Sequence, residues 1–162
     1  MHAAPQITIR HEVRPQDSAH VEQIVAATGF FTPDEVAIAR ELVDTTLTQG
    51  AAAGYQFVFA DTPALVGYTC FGQIPATDGR YDLYWIAVSP AIQRGGIGRR
   101  LLLESEAAIR REGGVRVYIE TSSQPKYEPT RGFYLSAGYK VAACLSGFYR
   151  DGDDKLIYCK VL

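Results

Sequence analysis

Residues 86–98 read Ile-Ala-Val-Ser-Pro-Ala-Ile-Gln-Arg-Gly-Gly-Ile-Gly, and the apolar pattern changes within them from strand to helix. The stretch from Tyr81 to Val88 is rich in β-branched and aromatic residues and predicts a strand. After Pro90 the apolar residues recur about every three to four positions, which predicts a long helix that ends at the Gly113-Gly114 pair. The apolar stripe of this helix comprises Ile97, Leu101, Leu102, Ala108 and Ile109, and the polar residues Arg99, Glu106 and Arg110 lie off it.

Three glycines, Gly95, Gly96 and Gly98, lie where this helix begins. Glycine lets the backbone turn tightly and leaves amide N–H groups uncovered, and a helix N-terminus adds about half a positive charge. A pyrophosphate fits such a site. The alternative is a helix-entry turn in which the small residues serve packing alone. The spacing matches neither Gly-x-x-x-x-Gly-Lys-Ser/Thr nor Gly-x-Gly-x-x-Gly, which disfavours NTPase and dinucleotide sites.

The rest of the chain alternates between strand and helix signals. Apolar alternation predicts further strands over residues 6–13, 55–60, 64–71, 115–119, 140–145 and 155–162. Asp17 or Ser18 is predicted to cap one further helix, which ends at Gly29. A second begins with the capping box Thr32-Pro33-Asp34-Glu35 and ends at Gly50. A short helix is predicted over residues 129–137.

Length and composition predict one soluble globular domain. The chain has 162 residues, of which 47% are apolar and 21% are charged, close to the averages of folded proteins. Its formal net charge of -2 argues against non-specific binding to nucleic acid, while a local basic patch for one phosphorylated ligand stays open.

Cysteine usage and the N-terminus predict a protein of the reducing cytoplasm. Cys70, Cys144 and Cys159 lie far apart without a Cys-x-x-Cys pair, so we expect neither a disulfide framework nor a metal site. The first residues lack a basic region followed by an apolar stretch, and no window reaches about 20 apolar residues. We therefore expect no membrane partner.

A second motif, Tyr127-Glu-Pro-Thr130-Arg-Gly-Phe-Tyr134-Leu-Ser-Ala-Gly138-Tyr139, lies downstream. Together with Gln-x-x-Gly-x-Gly after a strand, it resembles the hallmarks of the GNAT superfamily of acyl-coenzyme A dependent N-acetyltransferases. The two motifs have that superfamily's order and separation and cover residues 81–140. The resemblance implies a single N-acetyltransferase domain over residues 1–162, of α/β (α+β) class. Its twisted sheet would be mixed and mostly antiparallel, with about seven strands and about four helices on both faces.

The resemblance also implies acetyl-coenzyme A as co-substrate, in a cleft where two neighbouring strands diverge, and no metal. The pyrophosphate would bind the glycine loop, and the pantetheine amides would pair like a strand with the end of the preceding strand. Tyr127 and Thr130 stand where the family often has Asn and Ala. The residues so implied for cofactor binding are Ile86, Ala87, Val88, Gln93, Arg94, Gly95, Gly96, Ile97, Gly98, Arg99, Thr121, Tyr127 and Thr130.

Acetyl transfer to an amine needs a base for the ammonium, a donor for the developing oxyanion and a proton for the departing thiolate. Asp82 is the candidate base, since its distance before the glycine loop matches the carboxylate that some family members use; Tyr84, Glu120 and water are alternatives. The alternative for Asp82 itself is a solvated strand or turn residue. Tyr134 is implied as the acid; otherwise it is a core aromatic beside Phe133, which could fill the inward position.

Two aromatic pairs resemble segments that line the acceptor pocket in this superfamily. Phe30-Phe31 lies between the first two helices, and Phe148-Tyr149 lies in the predicted connection between the last two strands. Tyr84 completes the substrate-binding candidates. Ordinary packing explains either pair equally well. The connection before the last strand is also similar to that of ribosomal-protein alanine N-acetyltransferases, and its acidic run would attract an amine or simply be solvated.

We therefore expect an N-acetyltransferase that moves an acetyl group from acetyl-coenzyme A to a primary amine of a small molecule by direct attack. An N-terminal peptide acetyltransferase is the closest variant, and a non-catalytic acyl-coenzyme A binding module is the alternative from another class. A transferase with a cysteine nucleophile is weaker, because no His motif accompanies the cysteines. A homodimer is left open.

Overall fold

The computed structural model describes residues 6–92 and 95–162, and these form a seven-stranded mixed sheet with four α-helices. The strands are β1 (Thr8–Arg10), β2 (Gln56–Asp61), β3 (Leu65–Gln73), β4 (Arg80–Val88), β5 (Arg116–Ser122), β6 (Lys140–Arg150) and β7 (Asp153–Val161). The helices are α1 (Asp17–Ala27), α2 (Pro33–Gln49), α3 (Ile97–Arg111) and α4 (Glu128–Ser136). The spatial order of the strands is β1-β2-β3-β4-β5-β7-β6, which confirms the predicted fold class.

The described residues divide into two compact units. The first comprises the chain up to Gly72 together with Trp85–Ala107, and the second comprises Gln73–Tyr84 and Ala108–Leu162. β4 contributes its last residues to the first unit and its earlier residues to the second. The extent of one domain over residues 1–162 stays a prediction.

The first unit is built on the antiparallel strands β1, β2 and β3. Phe57, Phe59 and Tyr68 alternate along the hairpin and stack with ring centroids 5.5 to 6.4 Å apart. They share a buried apolar cluster with residues of the first two helices, Val21, Ile24, Val25, Ala39 and Val43. The alternation of the strands and the stripes of the helices thus meet in one core.

A buried ionic network ties β1 to α1 and β2. The guanidinium of Arg10 donates to both carboxylate oxygens of Asp17, at 2.6 and 2.7 Å, and to Asp61 Oδ2 at 2.6 Å. Asp17 also accepts the backbone N–H of Arg14 at 2.7 Å. The prediction that Asp17 or Ser18 caps α1 is wrong, because Gln16 holds the N-cap position and the Asp17 carboxylate is engaged by Arg10.

α2 begins at the predicted capping box. The Thr32 hydroxyl accepts the backbone N–H of Glu35, and the Glu35 carboxylate accepts the backbone N–H of Thr32. Pro33 holds the first helical turn and Gly50 ends the helix, as predicted. Along α3 the predicted stripe from Ile97 to Ile109 is buried, but so is Glu106, which the sequence placed off the stripe.

In the second unit, β5 lies between two neighbours in the sheet, β4 and β7. β4 is its parallel neighbour, with Arg80 opposite Arg116, Tyr81 opposite Val117 and Asp82 opposite Tyr118. On its other side β5 pairs antiparallel with β7, which pairs antiparallel with the edge strand β6. β4 and β5 pair at these three positions, and the two strands continue to Val88 and Ser122.

β6 carries a large bulge against β7. Leu145 lies opposite Lys155 and Arg150 opposite Asp153, so residues 146–149 face Asp154 alone. The backbone N–H of Gly147, at a φ of 62°, donates to Asp154 Oδ1 at 2.8 Å. The prediction that Phe148 and Tyr149 lie in a connection is wrong: both belong to β6, and the connection is the turn at Asp151 and Gly152.

Candidate active site

In the first unit, the glycine segment lies at the N-terminus of α3. Gly96 immediately precedes α3, and its carbonyl accepts the N–H of Arg100 at 3.0 Å. Its φ of 69° is a conformation that glycine adopts without strain, and a Cβ there would meet no described atom within 4 Å. The amides of the first turn, Ile97 to Arg99, have no intrahelical acceptors and carry the positive end of the helix dipole. Gln93 and Arg94 lie outside the described residues.

The end of β4 precedes this segment. Ala87 is buried, while Ile86 and Val88 are half-buried. Beyond the strand, the N–H of Ser89 donates to the carbonyl of Val66 at 2.7 Å, which fixes the chain as it leaves the sheet. The three residues implied for pantetheine binding therefore lie at the end of β4. The neighbouring strand, β3, pairs antiparallel with β2 on its other side.

In the second unit, Tyr134 is the buried aromatic residue of α4. Its ring lies 5.8 Å from Tyr158 on β7, 6.2 Å from Tyr139 and 5.7 Å from Phe133. Phe133 is half-buried, so the inward position belongs to Tyr134 and not to its neighbour. Burial, with Tyr158 as a smaller cause, raises the pKa of Tyr134. The phenol therefore stays protonated at physiological pH.

Asp82 lies on β4, half-buried, between the buried residues Tyr81 and Leu83. It is paired within the sheet, which excludes the turn alternative, and strand alternation places it on the same face as Tyr84. Burial is the largest cause that raises the pKa of Asp82; the carboxylate of Glu120 raises it further, and the ammonium of Lys155 lowers it. Asp82 thus has two charged neighbours from β5 and β7.

These neighbours form a cluster with the β6 bulge. Lys155 Nζ lies 2.8 Å from Glu120 Oε2 and 3.8 Å from the centroid of the Phe148 ring. Tyr149 packs edge-to-face against Phe148 with centroids 5.1 Å apart, and Lys155 Nζ lies 5.9 Å from its ring. We call Asp82, Glu120, Lys155, Phe148 and Tyr149 the acid-aromatic cluster.

The remaining predicted residues of the second unit lie around α4. Tyr127 holds the N-cap position of α4, and Lys126 Nζ lies 5.2 Å from its ring centroid. Thr130 is half-buried on the helix, whereas Thr121 is buried on β5. Arg131 donates to the carbonyls of Ser122 and Gln124, which holds α4 against the end of β5.

The aromatic candidates of the first unit surround the start of α2. Phe31 packs edge-to-face on Trp85 with centroids 4.9 Å apart, and both rings lie against the buried cluster of this unit. Phe30 is half-buried in the same loop. In the second unit, Tyr84 is exposed on β4. The structure thus brings Phe148 and Tyr149 together with Asp82 in one unit and Phe30 and Phe31 together in the other.

Comparison with known proteins assigns the family. The model of the acetyltransferase (GNAT) family matches residues 21–139, which is more than half of the chain. The chain belongs to this family. It is therefore an acyl-coenzyme A dependent N-acetyltransferase, in agreement with the sequence motifs. No functionally curated protein matches the sequence.

Solved structures give the same fold. A GNAT-family protein from Desulfovibrio desulfuricans is 50% identical, with a TM-score of 0.95 over 96% of this chain and 99% of that chain. The PaiA N-acetyltransferase of Thermoplasma acidophilum, solved with coenzyme A, is 20% identical, with a TM-score of 0.74 over 97% and 99%. An aminoglycoside 6'-N-acetyltransferase from Enterococcus faecium is 18% identical, with a TM-score of 0.75 over 96% of each chain.

The cysteines of this GNAT acetyltransferase are free thiols, and the surroundings of Cys70 and Cys144 do not activate them. Cys70 is buried, and burial raises the pKa of its thiol. Partial desolvation and the nearby Asp154 carboxylate raise the pKa of Cys144. Both shifts disfavour the thiolate that a nucleophile needs. Within residues 6–92 and 95–162, no group of three His, Cys, Asp or Glu side chains is arranged to hold a metal ion.

A further feature concerns the helices of this GNAT acetyltransferase. In the part of the chain that the structure describes, no helix has the length and apolar character needed to cross a membrane.

The sequence did not identify Lys155 as a site residue. It stands at the end of an acidic run that reads as a solvated turn, whereas Asp153 and Asp154 are the first residues of β7. Because of the register of β7 with β5 and β6, Lys155 lies next to Glu120 and Phe148. The predicted strand over residues 155–162 places Lys155 on one face with Ile157 and Cys159, but this alternation does not identify the residues on neighbouring strands that Lys155 contacts.

Proposed function

We propose that this GNAT acetyltransferase moves the acetyl group of acetyl-coenzyme A to a primary amine of a small molecule by direct attack. The observation that carries the proposal is the half-buried Asp82 beside Glu120, because its raised pKa brings a carboxylate closer to the range of an effective base at neutral pH. Tyr134, buried and protonated, is the proposed acid.

The glycine segment would hold the pyrophosphate of the co-substrate. Its fit rests on three features: the left-handed Gly96, the lack of any described atom within 4 Å of a Cβ at that position, and the first-turn amides of α3. The main chain of Ile86 to Val88 would pair with the pantetheine amides, and a main-chain N–H near Val88 would face the developing oxyanion. When bound, acetyl-coenzyme A supplies the activated thioester.

The proposed reaction removes two protons from the ammonium and adds one to the departing sulfur. An alkylammonium with a pKa of about 10 is mostly protonated at neutral pH, so Asp82 takes its proton directly or through water. The nitrogen then forms a bond to the acetyl carbon and loses its second proton to solvent, the carbon–sulfur bond breaks with its electron pair going to the sulfur, and the Tyr134 hydroxyl donates its proton to the sulfur. Solvent returns a proton to Tyr134, and Asp82 releases one.

The charge of the acid-aromatic cluster supports a cationic acceptor. Two carboxylates and one ammonium leave an excess of negative charge beside exposed aromatic rings, which attracts an alkylammonium. The similarity to peptide acetyltransferases depended on a tyrosine-rich connection, and here Phe148 and Tyr149 are strand residues. The free thiols support a reducing cytoplasm as the site of action.

A thiol-release screen tests the proposal. Acetyl-coenzyme A is incubated with amino acids, polyamines, aminoglycosides and short peptides, and free coenzyme A is followed with a thiol reagent. We expect release with at least one small cationic amine, and loss of that release in Asp82→Asn. Release with peptides alone would point to the N-terminal acetyltransferase, and tight binding without release would leave a binding module.

A matched pair of variants tests the pyrophosphate site. Gly96→Asp places a negative charge where phosphate would bind, whereas Gly96→Asn has the same shape without the charge and tolerates the left-handed backbone. By calorimetry we expect Gly96→Asp to abolish acetyl-coenzyme A binding and Gly96→Asn to retain most of it. Equal affinities in the two variants would remove the assignment.

A further inference from the structure

Residues from four strands meet in the acid-aromatic cluster of the second unit. Asp82 lies opposite Tyr118 on β5, and Glu120 is two residues further along the same face. Glu120 lies opposite Ile157 on β7, and Lys155 is again two residues away on the same face. In the antiparallel pair of β5 and β7, such diagonal neighbours lie about 7 to 8 Å apart and are within reach of long side chains. The side chains of Asp82, Glu120 and Lys155 therefore follow one another across three strands.

The β6 bulge fixes the position of Lys155. Four residues of β6 face one residue of β7, and this places the Phe148 ring 3.8 Å from Lys155 Nζ. Glu120 holds the ammonium from the other side at 2.8 Å, and the Lys155 side chain is only 13% exposed. A lysine so restrained between a ring and a carboxylate keeps its charge in one place, unlike the mobile lysines of a protein surface.

We propose that Lys155 is a positioning residue that controls the protonation state of Asp82. The inference rests on the proposed role of Asp82 as the base. Glu120 on its own would favour the protonated, inactive form of Asp82, and the fixed ammonium of Lys155 offsets that effect. The β6 bulge, through Phe148, keeps the ammonium where it acts on both carboxylates.

The charged and titratable groups around Asp82 come from each neighbouring strand. β5 contributes Tyr118 and Glu120, and β7 contributes Lys155. On β4 itself, Tyr84 lies on one side of Asp82 and Arg80 on the other, with Arg116 opposite Arg80. The guanidinium of Arg80 donates to the carbonyl of Asp78, just before β4. Lys155 is the cation that acts on the Asp82 carboxylate against Glu120.

The test measures the titration of Asp82 directly and needs no acceptor. The protein is labelled with ¹³C at the aspartate side-chain carboxyl carbons, and the Asp82 signal is assigned by its loss in Asp82→Asn. Removing the positive charge in Lys155→Met should move the Asp82 midpoint up by about one pH unit. Glu120→Gln removes the negative charge and should move the midpoint down. Lys155→Arg keeps the charge and should stay near the parent.

Lys140→Met is the matched control, because Lys140 is exposed on β6 and its loss should leave the Asp82 midpoint in place. Lys155→Gln repeats the test should the Met variant fail to fold. A midpoint in both Lys155 variants within about 0.2 pH units of the parent, or a shift downward, overturns the inference.

The pH dependence of turnover separates this inference from the proposed function. The acid limb of the rate should follow the Asp82 midpoint in each variant, measured with an amine that releases coenzyme A in the screen. A midpoint that moves in Lys155→Met while the acid limb stays would reject Asp82 as the base and still support the control of Asp82 by Lys155.

Discussion

Burial gives Tyr134 both a fixed position and a retained proton. Three aromatic rings surround it, and its raised pKa keeps the phenol neutral at any pH at which the enzyme would operate. The same shift makes it a weaker acid than an exposed tyrosine, whereas an ordinary thiol has a pKa of about 8.5, so its thiolate is a weaker base than the Tyr134 phenolate. Burial thus keeps the proton available but opposes its transfer, and the proposed role depends on the hydroxyl lying close to the departing sulfur.

Replacing Tyr134 by Phe keeps the ring and deletes the hydroxyl. We expect turnover to fall by about 10²-fold or more, while the affinity for acetyl-coenzyme A and the unfolding midpoint change little. Steady-state kinetics and calorimetry check this. Turnover within about threefold of the parent would assign the proton to water.

Arg10 is a second residue whose contribution to the free energy of unfolding depends on its burial. Arg10→Met leaves Asp17 buried without its cation and also frees Asp61, so we expect the free energy of unfolding to fall by about 3 kcal/mol. Urea denaturation measures the change. Arg40→Met is the control, since Arg40 makes exposed ion pairs with Glu22 and Asp44, and a comparable loss there would contradict the role of burial.

Among the elements, α2 was the easiest to predict, because its start depends on residues adjacent in sequence. Thr32→Ala removes the acceptor for the N–H of Glu35 and should lower the free energy of unfolding by about 1 kcal/mol. Thr48→Ala at the other end of α2 is the matched control. The Thr48 hydroxyl donates to the carbonyl of Asp44, which lies inside the helix, so its loss leaves no helix-terminal N–H without an acceptor. Thermal and urea unfolding should rank the two variants in this order.

The hairpin of β6 and β7 was the element that local signals predicted least well. An acidic run with one glycine is typical of a long solvated connection, and the sequence therefore ended the strand at Leu145. In the structure Asp153 accepts the Ser122 hydroxyl, and Asp154 accepts the N–H of Gly147, so both carboxylates stabilise β7. These partners are distant in sequence or depend on register, and no periodicity reveals them.

For the whole molecule, the order of strands and helices followed from the sequence because each element carries its own period and stop signals. The roles predicted for Asp82 and Tyr134 rest on their offsets from the two family motifs and stay predictions. Lys155 was predicted as a strand residue, but its contacts with Glu120 and Phe148 were not, since they depend on how β7 pairs with β5 and β6. The site is thus predictable where it depends on motifs and unpredictable where it depends on register.

Whole-molecule kinetics distinguish direct attack from a covalent acyl-enzyme. Both substrates must be bound together for direct attack, so initial-rate plots at several fixed amine concentrations should intersect. Cys70 is buried and neither Cys70 nor Cys144 favours its thiolate, which supports this outcome. Parallel lines together with an acetylated cysteine detected by mass spectrometry would contradict it.

The packing of Trp85 against Phe31 has a practical consequence. Since the sequence contains one tryptophan, all indole emission comes from this place on β4. Fluorescence excited at the red edge of the absorption band therefore reports on the first unit without any label. Solvent entering between the two rings would shift the emission maximum to longer wavelength. The emission maximum would therefore report on how closely Phe31, just before α2, packs against Trp85 on β4.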